Sequence, residues 1–169
     1  MKKIELKPNG IYFGEASALA ANLRPKSVNL VITSPPYGDV ISYGKKVPVF
    51  SPDKYIPWFV ELAKHISNAL TDDGSFILNI NDRIIKGRRS TYVFRLVCAI
   101  EDNTEMYLHE RYFWHKKSGR PKSSRRRLND TAEYIFHFVK NSQFKCFSDE
   151  IRVPYAESSL KRVKSPVQI

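Results

Sequence analysis

Val28-Asn29-Leu30-Val31-Ile32-Thr33-Ser34-Pro35-Pro36-Tyr37 is a short apolar run that breaks off into a hydroxyl, two prolines and an aromatic ring. Residues 28 to 32 read as a strand that is apolar nearly throughout, the pattern of a strand covered on both faces. Two prolines fix φ twice and remove two backbone donors, so the segment from Ser34 to Tyr37 is stiff and its carbonyls face whatever lies in front of them. In open α/β sheets ligands bind beyond the carboxyl ends of the strands, which is where this segment falls. A stiff loop there presents the Ser34 hydroxyl, the Pro35 carbonyl and the Tyr37 ring together. Acceptors edge-on and an aromatic face suit a planar ring bearing an exocyclic amino group. Taken alone, Ser-Pro and Pro-Pro are also ordinary turn dipeptides.

Working outward, Gly10 to Gly14 reads as a short strand and Ala16 to Leu23 as a helix ended by Pro25. After a loop from Pro35 to about Pro52, Ser51-Pro52-Asp53 resembles a helix start, and Ile56, Phe59, Val60, Ala63, Ile66 and Leu70 recur at helical spacing. Pro57 deletes a helical hydrogen bond, which places the start of the main helix there, after a preliminary turn. Thr71-Asp72-Asp73-Gly74 stops that helix and Ser75 to Ile80 enters a third buried strand. A polar loop, Asn81 to Arg89, leads to a helix over about Thr91 to Glu101, and two β-like runs follow, Met106 to Trp114 and Ala132 to Val139. The alternation predicts an α/β fold: part of a doubly wound, Rossmann-like sheet, mostly parallel, with the last two runs as an antiparallel edge hairpin.

The 169 residues suffice for one such domain, and the net charge of +11 is far from balanced. With a pI near 9.7, the surplus must lie on the surface and attract polyanions. Nucleic acid leads on charge, since no basic amphipathic helix accompanies it to suggest a membrane surface. Seven of the twelve residues from Lys116 to Arg127 are Lys or Arg, spaced by Gly, Pro and Ser as in a loop. No stretch has signal-peptide length or reaches the roughly 20 apolar residues needed to span a bilayer, so a cytoplasmic protein is expected. Cys98 and Cys146 sit among apolar neighbours and read as core or near-core thiols, not a disulfide framework. His65, His109, His115 and His137 lack paired-ligand spacing, which argues against a zinc site.

Thr33-Ser34-Pro35-Pro36-Tyr37 resembles the catalytic motif of the amino-group DNA methyltransferases, in the S-P-P-Y form typical of cytosine-N4 enzymes; adenine-N6 enzymes usually carry D-P-P-Y. Phe13-Gly14-Glu15-Ala16 is similar to the family's G-D/E-A segment, whose acidic residue lies near the methyl donor. The run from Asp73 to Arg83 resembles the family's D-G-S…L-N-I…D-R strand and loop. Trp114-His115-Lys116-Lys117, with Pro121, Ser123 and Glu133, is similar to its W-x-K…P…S…E-x-I…F pattern. The likeness covers about residues 10 to 140, in family order.

The resemblance implies S-adenosylmethionine as methyl donor and double-stranded DNA as partner, with no metal. It implies catalytic roles for Ser34, Pro35, Pro36 and Tyr37, and donor contacts by Phe13, Gly14, Glu15, Thr33 and Asp82. It implies DNA contacts by Trp114, Lys116, Lys117, Arg120, Lys122, Arg125, Arg126 and Arg127. Residues 1–150 would then be the catalytic half of a methyltransferase domain, and residues 151–169 a basic extension leading toward a recognition region or a partner chain. The chemistry agrees. The cytosine N4 lone pair is delocalised into the ring, and an acceptor on each amino hydrogen would draw the nitrogen toward a tetrahedral form and free that pair for in-line attack on a sulfonium methyl group. A base in a duplex must first be flipped out, at a cost of roughly a few kcal/mol.

One expected feature is missing: the seven glycines contain no G-x-G pair, although donor-binding sheets approach the cofactor through a glycine-rich turn. In the circularly permuted branch that the early S-P-P-Y segment resembles, that loop lies C-terminal, after a recognition region. The expectation is therefore a split enzyme whose second polypeptide supplies the loop, with a remnant or fragment lacking donor binding as the alternative. A half-sheet with an unpaired central edge would expose backbone donors and apolar surface. Two further readings stay open: an adenine-N6 enzyme, and a non-catalytic DNA-binding subunit on the same scaffold.

Overall fold

Alternation of apolar and polar residues along Leu70–Ile80 puts Phe76, Leu78 and Ile80 on one face of the longest strand, and all three are fully buried. That strand is the spine of the computed structural model of this chain, which describes residues 6–37, 51–119 and 126–164. The elements follow in the order α1 (Ala16–Ala20), β1 (Val28–Thr33), α2 (Pro52–Ala69), β2 (Leu70–Ile80), β3 (Ile84–Ile85), β4 (Arg88–Arg89), α3 (Tyr92–Asn103), β5 (Tyr107–His115) and β6 (Ala132–Val139). A 3₁₀ turn, Ser148–Ile151, and α4 (Glu157–Lys164) complete it.

The main sheet has the order β1-β2-β6-β5. β1 and β2 are parallel, β6 runs antiparallel to β2, and β5 and β6 form the antiparallel edge hairpin. The fold is thus the mixed α/β class expected, with the hairpin where the sequence put it. Helices α2 and α3 bury Tyr55, Phe59, Ala63, Tyr92, Leu96 and Ile100 against Phe76, Leu78, Phe136 and Phe138. At the start of β2 the pairing jumps from Val28↔Leu70 to Leu30↔Ser75. Gly74 makes this passable, since a Cβ there would stand 2.9 Å from the Asn29 carbonyl oxygen.

Several expectations need correction. Gly10 to Gly14 is not a strand, and Ile11 and Phe13 in it are fully exposed, so this segment gains no ladder partner among the described residues. The helix after it stops at Ala20, short of Leu23. Helix α2 runs unbroken through Pro57 from Pro52, because the ring falls in the second turn, where one lost hydrogen bond is tolerated against a buried face. β1 is not covered on both faces: Leu30 is 53% and Ile32 68% exposed, since β1 is an edge of the described sheet and nothing described lies over that side. Cys98 and Cys146 are exposed and free: the thiol of Cys98 lies on the outer side of α3 while Val97 turns inward, and Cys146 stands in an exposed segment with Phe147. No helix among the described residues is long and apolar enough to cross a membrane.

Candidate active site

The strand directions bring four segments to one end of the sheet. Thr33 pairs with Leu78, so Ser34 and Asn79 each stand one residue farther on, at the carboxyl ends of β1 and β2. Because β6 is antiparallel to β2, its beginning reaches the same end: Asn79 faces Ile135 and Ile80 faces Tyr134. The close of β5 arrives there too, with Trp114 opposite Glu133 and His115 opposite Ala132. A bond of 2.6 Å from the Lys116 amide to the Thr131 carbonyl closes the hairpin and turns Lys116 back toward the site.

The side chains form one connected set. The Tyr37 hydroxyl donates to Glu133 Oε2 at 2.8 Å. Asn79 Nδ2 donates toward Glu133 Oε2 at 3.1 Å, toward Tyr37 Oη at 3.2 Å, and more loosely toward Ser34 Oγ at 3.5 Å. Ser34 Oγ and Tyr37 Oη stand 3.4 Å apart. Lys116 Nζ pairs with the other carboxylate oxygen, Oε1, and lies 5.3 Å from the centre of the Trp114 ring. Pro35 is buried and Tyr37 packs partly against the core, whereas Ser34 is exposed. Glu133 is itself buried. Burial alone would raise its proton affinity, but hydrogen bonds from Lys116, Tyr37 and Asn79 outweigh that and hold it below the usual carboxylate range.

A second set braces the loop after β2. Asn81 Nδ2 bonds the Ala132 carbonyl at 3.1 Å, Asn81 Oδ1 accepts from the Asp82 amide at 2.9 Å, and the Tyr92 hydroxyl donates to the Asn81 carbonyl at 2.7 Å. The Asp82 carboxylate is buried and pairs with Arg89, which also meets Asp130 at 2.8 Å. Arg89 is delivered by a two-residue hairpin turn in which Lys86 and Gly87 both have positive φ, 46° and 77°.

The sequence-based candidates separate accordingly. Ser34, Pro35, Pro36 and Tyr37 stand at the strand ends with Thr33 just before them. Glu15 is the N-cap of α1, its carboxylate accepting from the Ala18 amide at 2.7 Å, with Gly14 and the uncovered Phe13 ring preceding it. Asp82 is engaged with Arg89 as above. Trp114, Lys117, Arg126 and Arg127 are exposed, Arg127 donating to the Gly87 carbonyl; Lys116 instead turns in to Glu133. Arg120, Lys122 and Arg125 lie outside the described residues. Sequence reasoning gave no role to Asn79, Glu133 or Arg89. The signal for the first two was their place in the L-N-I and E-x-I…F segments quoted above, each a polar residue beside apolar ones at the strand end where Ser34 lies. Two concavities, one lined in part by Pro25, Ser67, Asn68 and Lys140 and one by Thr71, Asp72, Asn141 and Gln143, lie at the opposite end of these strands. They hold none of the convergent groups.

A family model described as DNA methylase matches residues 28–168. Type II methyltransferase M.PvuII of Proteus hauseri is 26% identical over 164 residues, covering 92% of this chain and 48% of that protein. Type II methyltransferase M.SfiI of Streptomyces fimbriatus is 30% identical over 168 residues, covering 88% of this chain and 40% of that one. The chain therefore spans about half the length of the curated relatives it matches. Among solved structures, the PvuII DNA methyltransferase (cytosine-N4-specific) superposes with a TM-score of 0.71 at 26% identity, over 83% of this chain and 52% of that one. A Thermus thermophilus protein, TTHA0409, shares the fold at 18% identity, with a TM-score of 0.59.

Proposed function

The chain belongs to the DNA methylase family whose model it matches over residues 28–168, and from that premise we propose that it is the active-site half of a site-specific DNA methyltransferase acting on cytosine N4. The observation that carries this reading is the convergence of Ser34, Tyr37 and Asn79 beyond the carboxyl ends of β1 and β2. There Ser34 Oγ and the Pro35 carbonyl accept the two amino hydrogens of a flipped base, and the Tyr37 ring stacks on its face. No covalent bond to the protein is needed, because the amino nitrogen is itself the nucleophile. Cytosine N4 is favoured over adenine N6 by the Ser34-Pro35-Pro36-Tyr37 form of the motif and by the specificity printed for the PvuII enzyme.

S-adenosylmethionine, when bound, supplies an electrophilic methyl group. The residues here fit such a donor on the side they provide: Phe13 offers a ring uncovered by protein, and Glu15 a carboxylate at the start of α1. Thr33 ends β1 beside Ser34, and Asp82 follows β2 with its carboxylate held by Arg89. The glycine-rich turn must come from elsewhere, and the uncovered edge of β1 is where further strands would add. We assign those strands, the donor loop and most sequence recognition to polypeptide beyond these residues, in a second chain or in more of the same one. Trp114, Lys117, Arg126 and Arg127, with Arg120, Lys122 and Arg125 nearby in sequence, supply contacts to duplex DNA, mainly to phosphates. Residues 151–169 then lead toward the recognition region.

Substituting Ser34→Ala tests the catalytic reading against a DNA-binding module. The variant is expected to bind duplex DNA as the wild type does, in a filter or anisotropy assay, and to lose about 10²- to 10³-fold in methylation rate. Unchanged methylation by the variant, or 6-methyladenine in place of 4-methylcytosine in the wild-type product, would sink the assignment.

A further inference from the structure

The hydroxyl protons of the site have a direction, and Glu133 sets it. Tyr37 has one proton to give and stands 2.8 Å from a carboxylate oxygen, so the proton goes there. Tyr37 Oη is left as an acceptor, which Asn79 already uses at 3.2 Å and which the Ser34 hydroxyl can use at 3.4 Å. That last distance is long, as catalytic hydrogen bonds often are before a substrate closes on them. Asn79 is oriented by the same carboxylate. Turning its amide over would place Oδ1 against Glu133 Oε2, at the position Nδ2 now occupies 3.1 Å away. The present orientation holds although it leaves Oδ1 buried without a hydrogen-bond partner among the described residues. An unmet buried acceptor costs free energy, so the carboxylate outweighs it.

We propose that Glu133, pinned by Lys116, is the positioning residue of this site: through Tyr37 it turns the Ser34 proton away from the pocket, so that Ser34 Oγ meets the target amino group with a lone pair. The inference rests on the amino-methylation reading above. Without the carboxylate, the Tyr37 and Ser34 protons have no preferred direction, and a Ser34 hydroxyl pointing its proton outward repels the amino hydrogens it should accept. Glu133 is a fixed acceptor here, not the base that takes up the released proton. The groups facing it are the Lys116 ammonium from the end of β5, the Tyr37 hydroxyl from the segment after β1 and the Asn79 amide from β2. All three give it hydrogen bonds and favour its charged form. The proton lost from the methylated amino group goes to water.

The test uses the full chain with the polypeptide that completes it, and compares wild type, Glu133→Gln, Tyr37→Phe and the double variant in single-turnover methylation and DNA-binding assays. Glu133→Gln keeps the shape and removes the charge, and is expected to lower kcat roughly 10- to 100-fold while KM for DNA stays within about twofold. The double variant should be no slower than Tyr37→Phe alone, since both break one chain. Lys116→Gln removes a partner that keeps Glu133 ionised, so the acidic limb of the kcat profile should move to higher pH. An unchanged kcat in Glu133→Gln, multiplicative losses in the double variant, or an unmoved acidic limb would each overturn the proposal. If Glu133→Gln does not fold, judged by thermal unfolding, full kcat in Tyr37→Phe overturns it equally. Methylation by wild type and Glu133→Gln alike removes this inference and spares the parent reading, whereas no methylated base from the wild type removes both.

Discussion

The two strands of the parallel pair live in different solvents. β2 presents Phe76, Leu78 and Ile80 to a closed core and has partners on both sides, whereas β1, one strand away, leaves Leu30 and Ile32 exposed and, among the described residues, pairs only with β2. Both strands deliver residues to the same site, Asn79 from one and Ser34 from the other. The difference separates two tasks. The centre fixes where the strand ends are and needs nothing beyond this chain to do so. The edge carries apolar surface that repays burial at on the order of 1.5–3 kcal/mol per large side chain, and among the described residues it is the edge next to Ser34 from which the sheet can be extended.

The sharpest way to break that comparison is to excavate the centre. Phe76 is fully buried and stacked on Phe138 with ring centroids 5.7 Å apart. Phe76→Ala should cost about 3–5 kcal/mol, enough to unfold much of a marginally stable chain, and Ile32→Ala should cost under about 1 kcal/mol in the isolated chain; thermal or urea unfolding of the two variants reads the contrast. Equal losses would mean that β1 is covered after all.

A smaller effect is expected from charging the edge. Ile32→Lys should leave the isolated chain folded, and more soluble, yet weaken association with any strands that complete the sheet, and the methylation rate of the completed enzyme would fall. Undiminished association would move the completing strands away from β1.

The mildest test concerns pH, and it addresses the centre again. His137 on β6 is buried, with its Nε2 2.9 Å from Ser75 Oγ, and burial first, then the neighbouring His109, hold its proton affinity below the ordinary value, opposed by Glu110. The unfolded chain therefore takes up this proton at a higher pH than the folded one. Stability is full above the ordinary histidine value of 6.5 and falls as pH drops below it, down through the lowered folded value. Unfolding temperatures from pH 8 to 5 should show this decline, and His137→Gln should flatten it.

How much of this could be read in the sequence follows the same division. β2, β6 and α3 declared themselves through apolar periodicity, because each buries a full face within the chain, whereas β5 was legible as a β-like run although most of it is exposed. The covering of β1 was misread for an instructive reason: Val28 to Ile32 has the composition of a strand buried on both faces, and composition records the surroundings a strand is built for, including any outside the described residues. Gly10 to Gly14 was misread as a strand on the same kind of signal, a few apolar residues between glycines. Within the site, Ser34 to Tyr37 was legible as a local motif. The convergence on Glu133 was not, because it joins residues 37, 79, 116 and 133 through strand direction and register, which no local window contains.

The central claim is that this chain holds the amino-methylation chemistry and that the edge of β1 must be extended for it to act. Nucleoside mass spectrometry on DNA from a methylation-free host, expressing the chain alone and together with the neighbouring reading frame, tests it most directly. The account predicts 4-methylcytosine once the completing polypeptide is present, and its loss on Ser34→Ala. No methylated base in either case, or one that survives Ser34→Ala, would contradict it.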